Sequence, residues 1–322
     1  MTLPARLALG VALVAILLSP ARAVQGHPKI FSTPDDAATA LVEACERHDT
    51  TALGAILGPD AGTLINSGDP VQDKVRLDRF VRRAKEALRV EPDPFGAGRL
   101  VIVVGEDRWA VPVPIVKASD GYRFDAGAAK AEILARRVGR NELYAIAALR
   151  DFVAAELEYA YTDSNKNGIH DYASQILSDP GQRNGLYWEA EDGEPPSPLA
   201  RIVGRVTAEG YELPKPGEPV MYHGYAFRVL KAQGRHVTDG ARDYVVRGLM
   251  IGGFALVAYP VEYGVSGVKT FVVNQDGVIW EKDLGSRTTA IASAIRRYNP
   301  DATWKLSPQE VAEAPPAPTP RP

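Results

Sequence analysis

The stretch AGAAKAEILARRVGRNELYAIAALRDFVAAELEYAY, residues 126–161, decides how this chain is divided. It is dense in Ala, Leu, Glu and Arg, the strongest helix formers, and it holds no proline. Ala126 to Arg137 and Asn141 to Tyr161 read as helix, with a break or bend at Gly139. Leu143, Ile146, Ala147, Arg150, Phe152, Ala154 and Leu157 offer a broad apolar surface with polar gaps. Before this stretch three helices give way to strands, and after it the chain becomes β-rich. The long helical segment is therefore read as the joint between two domains of the α+β class, 24–125 and 126–306.

On the N-terminal side, Thr33 suits an N-cap, Pro34 the first helical position, and Asp35 and Asp36 the positive end of the helix dipole. His48-Asp49 ends that helix. A short second helix covers Thr51 to Leu57 and stops at Gly58-Pro59. After the turn-rich run Leu64 to Asp73, a third helix spans about Val71 to Leu88, with Val75, Phe80, Ala84 and Leu88 as its imperfect apolar face. Leu100 to Val104 reads as a buried strand. Arg108 to Lys117 alternates through Trp109, Val111, Val113 and Ile115, and Pro112 and Pro114 mark an edge or a bulge. Tyr122 to Phe124 follows the turn Asp120-Gly121. The expectation is helices covering a short curved antiparallel sheet.

On the C-terminal side, a polar loop (Thr162 to Asp171) and an irregular region lead to a helix from Ser197, with the stripe Leu199, Ile202, Val203, Val206 and Gly210 past its end. Strands are expected at 226–230, 244–248, 254–259, 270–273 and 278–282, with Asp276-Gly277 as a hairpin turn. A helix from Arg287 to Tyr298 closes this part. The expectation is a long helix packed on an antiparallel β meander.

The two ends read differently. Met1 to Arg6 is basic, Leu7 to Leu18 almost wholly apolar, and Ala21-Arg22-Ala23 a small-x-small site. That is the layout of a secretory signal peptide over 1–23, and the apolar run is too short to span a membrane. No Cys follows it, which argues against a lipid anchor. The mature chain is expected to start near Val24 and to be periplasmic or secreted, with no membrane span. Residues 307–322 are proline-rich and read as a disordered tail.

Of the 322 residues, 45% are apolar and 24% charged, the profile of a globular chain with a real core. Losing Arg6 and Arg22 with the leader takes the formal charge from −3 to −5. That balance argues against a nucleic-acid footprint. Cys45 is the one cysteine, so no internal disulfide can form. Its place on the stripe Ala38, Leu41, Val42, Cys45 makes it a structural thiol.

Three resemblances follow. Residues 30–125 resemble the cone-shaped α+β fold of the nuclear-transport-factor-two superfamily, through Ala37-Ala38 and Leu41, His48-Asp49, Leu57-Gly58-Pro59, and the meander ending Asp120-Gly121-Tyr122-Arg123-Phe124-Asp125. Residues 141–285 resemble the soluble head of type IV pilins and pseudopilins. Ala147-Ala148-Leu149-Arg150 with Tyr159 and Tyr161, Gly224-Tyr225-Ala226-Phe227, Ala255 to Pro260, Gly267 to Phe271 and Asp276 to Ile279 carry that likeness. The apolar membrane half of a pilin helix is missing, which puts pilus assembly in doubt. The mature chain as a whole resembles a bacterial secreted family, domain-of-unknown-function family 2950. Ser67-Gly68-Asp69, the run Arg136 to Leu143, Gly185-Leu186-Tyr187-Trp188, Ser197-Pro198-Leu199, Tyr222 to Tyr225, Gly253-Phe254-Ala255 and Lys282 to Gly285 carry it. That resemblance implies no activity.

Asp163, Asn165, Asn167, the Ile169 carbonyl and Asp171 follow the first half of a calcium loop, with Gly168 at the sharp turn. Ser174 stands where a bidentate Glu is expected at position 12. The competing reading is an Asx-turn cluster that binds nothing. His223, inside Tyr222-His223-Gly224-Tyr225, is the histidine singled out for a special role, against the reading of a strand-end anchor. Tyr187-Trp188 sits in a Gly-flanked segment and is a pair to inspect for exposure. The run Arg247 to Gly253 lacks the Gly-Lys-Ser/Thr of a phosphate loop, and no Gly-x-Ser-x-Gly elbow occurs.

With no catalytic constellation in the sequence, the leading expectation is a non-enzymatic binding or scaffolding protein of the bacterial cell envelope, with an envelope protein or a polysaccharide as partner. The rival is an enzyme or small-ligand binder with a pocket in the N-terminal cone, lined by Trp109, Tyr122 and Asp125.

Overall fold

The computed structural model describes residues 27–308 apart from Phe95 and Ala97. The expected leader lies outside the described residues, as does the tail from 309 on. Ser307, expected in the disordered tail, is instead buried, and its N–H donates to the Ile279 carbonyl at 3.0 Å.

The chain is a mixed α+β fold. Helix α1 (Pro34–Glu46) begins in a capping box: Thr33 accepts from the Asp36 N–H, and the Asp36 carboxylate accepts from the Thr33 N–H. α2 (Thr50–Leu57) is capped by Asp49. A short α3 (Ala61–Ile65), not expected from the sequence, follows and runs into the start of the turn-rich segment Leu64 to Asp73. α4 (Pro70–Glu86) starts at Asp69, whose Oδ1 accepts from the Gln72 N–H at 3.0 Å. Its buried residues are Val81 and Ala84. Leu88 is exposed and opens a strand rather than closing the helix, because Ala87 is already extended (φ −157°).

That strand, β1 (Leu88–Pro92), pairs with β2 (Arg99–Val104), which also holds β3 (Trp109–Ala110) and β4 (Ile115–Ala118); β5 (Gly121–Phe124) closes the order β1-β2-β4-β5. The alternation expected from 108 to 117 is therefore split. Pro112 and Pro114 cannot donate to a ladder, and they divide it into β3 and β4. α1 packs on α2, α4, β1 and β5. Beneath it Leu53, Ile102, Val104, Ile115 and Phe124, none more than 1% exposed, fill the interior of this half.

α5 (Ala126–Tyr161) is one unbroken helix of 36 residues, starting at Asp125, whose Oδ1 accepts from the Ala128 N–H. The helix runs through Gly139 without the break that the sequence suggested there. A mid-helix glycine costs only about 1 kcal/mol relative to Ala, and side chains on both sides of it are anchored. Arg137, 2% exposed, donates to the carbonyls of Thr63 (3.0 Å), Leu64 (2.6 Å) and Asn66 (3.3 Å). Burial, aided by Arg76, pulls its pKa down to about 10. Asn141 Nδ2 donates to the Ser266 carbonyl at 2.9 Å, and Glu142 Oε1 accepts from the N–H groups of Val268 and Lys269, both at 3.0 Å. One stretch of α5 thus grips both halves. The buried face is Ala145, Ile146, Leu149, Phe152, Ala155, Tyr159 and Ala160, at helical spacing. Leu143 and Leu157, expected on that face, are 54% and 48% exposed.

Beyond α5 come β6 (Gln175–Leu177) and β7 (Gly185–Tyr187), paired in parallel, then α6 (Ala200–Ala208). The main sheet of this half uses β8 (Val220–Tyr222) and β9 (Tyr225–Leu230). After β10 (Ala232–Gln233), paired with β11 (Arg242–Asp243), and the hairpin of β12 (Val245–Val246) and β13 (Leu249–Met250), it resumes with β14 (Ala255–Pro260), β15 (Lys269–Asn274) and β16 (Trp280–Asp283). With β17 (Lys305–Leu306), its order is β17-β16-β15-β14-β9-β8. β14 is buried at every position, as a central strand covered on both faces must be. The closing helix α7 spans only Thr288–Ala294; Ile295 is already extended (ψ 125°). Among the described residues the buried apolar side chains form two clusters, one before and one after the middle of α5.

Candidate functional site

Tyr144, Ala147, Ala148 and Asp151 stand at i, i+3, i+4 and i+7 on α5, so they share one face. They lie off the buried stripe. Facing them is α6, whose Val203 and Val206 are core while Ile202 is half-buried. Between the two helices a groove of about 410 Å³ opens, floored by Phe152, Phe227 and Leu256 and rimmed by Leu213, Val220 and Tyr222. Its volume falls within the range of small-ligand sites, and its lining is mostly apolar with a few polar groups, the usual composition of such sites. The polar members are Tyr144, Asp151, Arg205, Glu209 and Tyr222.

One end of the groove is built on a tight turn. Tyr222 pairs with Tyr225, which leaves His223 (φ 47°) and Gly224 (φ 75°) as a two-residue hairpin loop. Two successive positive φ angles are the mark of a type I′ turn. A Cβ on Gly224 would lie 2.8 Å from Ser266 Cβ and 3.0 Å from Asn141 Nδ2. His223 is 5% exposed, and its ring stacks on Tyr144 at 3.9 Å with a 13° tilt and meets Tyr222 edge-on at 4.2 Å. Its Nε2 lies 3.2 Å from Glu209 Oε2. Burial lowers the His223 pKa below the ordinary value, with Glu209 and Asp69 pulling it back up. Behind it, Tyr211 Oη accepts the His223 N–H at 3.2 Å and donates to Asp69 Oδ2 at 2.7 Å. His223 thus anchors a strand end and also backs the groove's aromatic wall.

Tyr187 and Trp188 are half-buried and line a second, more open cleft of about 600 Å³, which shares Leu177 and Leu213 with the groove. Arg183 lies 5.4 Å over the Trp188 ring, Tyr159 meets it edge-on at 6.4 Å, and Arg183 pairs with Glu194.

The loop 163–171 is closed on itself. Asp163 accepts from the N–H groups of Asn167 (3.1 Å) and Gly168 (3.0 Å). Asp171 Oδ1 accepts from the side-chain amides of Asn165 (2.9 Å) and Asn167 (3.1 Å). The Ile169 carbonyl accepts from the Asp171 N–H at 2.9 Å. Among the described residues no group of three or more His, Cys, Asp or Glu is placed to hold a metal ion.

Trp109, Tyr122 and Asp125 do not converge. Trp109 is 40% exposed on the edge strand β3, under Arg83. Tyr122 bridges to Phe31 through the backbone, and Asp125 caps α5. Cys45 is buried, and burial pushes its thiol up to about 12, which removes it as a nucleophile.

The groove residues Tyr144, Asp151, Arg205, Glu209 and Leu213 are not among those the sequence points to as a site. The stripe on α6 was legible, and the 144–147–148–151 spacing was available. What was not legible is that the two faces oppose each other across a gap.

A family model described as "Protein of unknown function (DUF2950)" matches residues 28–306. No curated protein and no solved structure matches the chain. Among the described residues no helix is long and apolar enough to cross a membrane.

Proposed function

We propose that this chain, which belongs to the family of proteins of unknown function DUF2950, is an exported, non-enzymatic binding protein of the bacterial cell envelope. Its site is the groove between α5 and α6. The observation that carries the reading is the pairing of a mostly apolar trough with polar groups gathered at its tyrosine-lined end. Export rests on the leader-like run over 1–23. The two buried clusters support two domains, 24–125 and 126–306, joined by α5. A long helix lying on an antiparallel meander supports the likeness of the second domain to a pilin head, and helices on a small antiparallel sheet support the cone likeness of the first. A ligand pocket in the cone has no such support, because Ile102, Ile115 and Phe124 occupy its interior.

An envelope protein or polysaccharide partner is assigned to the outer faces, where the cleft beside Tyr187 and Trp188 carries two aromatic rings and the exposed acids Glu189 and Glu191.

Two measurements test this reading. Fractionation of an expressing bacterium, with N-terminal sequencing, should find the chain outside the cytoplasm and starting near Val24. Full-length chain retained in the cytosol would overturn export. Organic extraction of the purified chain should release a small amphiphile that is absent after Ala147→Trp, a change that fills the trough from an exposed position. The same extract from both proteins would remove the groove as the site.

A further inference from the structure

Two aromatic rings and a carboxylate meet at one end of the groove. Tyr144 and Tyr222 lie 6.5 Å apart with their planes at 67°, so they form two sides of a corner. His223 is stacked on Tyr144 at 3.9 Å and closes that ring's far face. Glu209 stands beside Tyr222, whose hydroxyl donates to Glu209 Oε1 at 3.4 Å. Its other oxygen, Oε2, is buried against His223 Nε2 at 3.2 Å, so Oε1 is the oxygen left to meet a ligand.

The charges around this corner do not cancel. Asp151 and Arg205 face each other at 3.8 Å, and Arg205 also reaches Tyr222, so the trough sets two acids, Asp151 and Glu209, against one base. Aromatic faces attract cations through their quadrupole, and a carboxylate beside them adds a charge-assisted hydrogen bond. An anionic head would meet Glu209 in the same place and be repelled.

We infer that the groove selects an amphiphile with an ammonium head, seated between Tyr144, Tyr222 and Glu209, with its apolar body along the trough. This rests on the groove being the binding site, and it adds the chemical class of the ligand. The apolar body contacts Phe152, Leu213 and Leu256.

The test compares decylammonium, decanoate and decanol binding to the full chain by calorimetry. Decylammonium should bind at least about tenfold tighter than decanoate, a difference of about 1.4 kcal/mol. Glu209→Gln should remove that preference, bringing decylammonium affinity down to that of decanoate. If Glu209→Gln unfolds the chain, Tyr144→Leu is the second variant, and it should cut decylammonium affinity more than decanol affinity. Equal binding of the two ions, or a preference that survives Glu209→Gln in a folded protein, would overturn the inference while leaving the groove in place. Failure of all three amphiphiles to bind would overturn both.

Discussion

Tyr211 Oη donates to Asp69 Oδ2 over 2.7 Å, joining the cap of α4 in the first half to the segment after α6 in the second. Both residues are buried, and burial, with Asp69 beside it, pushes the tyrosine pKa upward. The bond therefore bridges the two halves in a dry setting, where one to a charged group contributes about 1.5–3 kcal/mol. Tyr211→Phe should lower unfolding stability by about 2 kcal/mol. Asp69→Ala should cost more, since it also removes the α4 cap. Denaturant melts of both variants check the order; an unchanged Tyr211→Phe would mean the halves are held elsewhere.

Two glycines should respond oppositely to alanine. Gly139 sits mid-helix with open space where a Cβ would go. Gly139→Ala should stabilise the chain by about 0.5–1 kcal/mol, because it reduces the freedom of the unfolded state without any clash. Gly224 has φ 75° and no room, so Gly224→Ala should cost at least about 1–3 kcal/mol. Calorimetric melts of the pair give the comparison.

His223 predicts a pH dependence. Its folded pKa is lowered, chiefly by burial, while Glu209 and Asp69 raise it and Arg140 lowers it further. The unfolded chain, with an ordinary histidine value of about 6.5, binds the proton more readily. Stability contributed by this site is then present above about pH 6.5 and is lost as pH falls through 6.5 toward the folded value. His223→Asn tolerates the positive φ and has no proton to gain, so it should flatten the stability profile between about pH 7 and 5. An identical profile in the variant would remove His223 from that role.

The loop at Asp163 carries the calcium proposal. A cation there would require Asn165 and Asn167 to turn their amide oxygens inward, since their NH₂ groups now donate to Asp171 Oδ1. Calcium at about one hundred times its dissociation constant should add about 2.7 kcal/mol, raising the melt by a few degrees. Asp163→Ala should abolish the rise. A melt indifferent to calcium and chelator alike leaves a closed Asx-turn cluster.

Local signals in the sequence carried far. Thr33 and Pro34 located α1, Gly58 ended α2, and the Leu199–Val206 stripe located α6, because caps, breakers and period are written within a few residues. Long-range effects did not carry. Gly139 read as a break or bend because the anchoring of Arg137 and Asn141 by distant carbonyls is invisible in the chain. Leu143 and Leu157 read as core because periodicity gives a face but not its partner. His223-Gly224 between two tyrosines was the overlooked clue: a residue followed by Gly, flanked by strand formers, is the two-residue hairpin signal. The groove was out of reach, since a gap between two helices depends on how they are held apart.

The most direct test of the groove as a binding site is titration of the chain with N-phenyl-1-naphthylamine, whose fluorescence rises in apolar surroundings, against Ala147→Trp and Ala148→Trp. Saturable one-to-one binding to the parent, weakened at least about tenfold in both variants at unchanged melting temperature, is the predicted result. Binding that is absent from the parent, or equal in all three proteins, would contradict it.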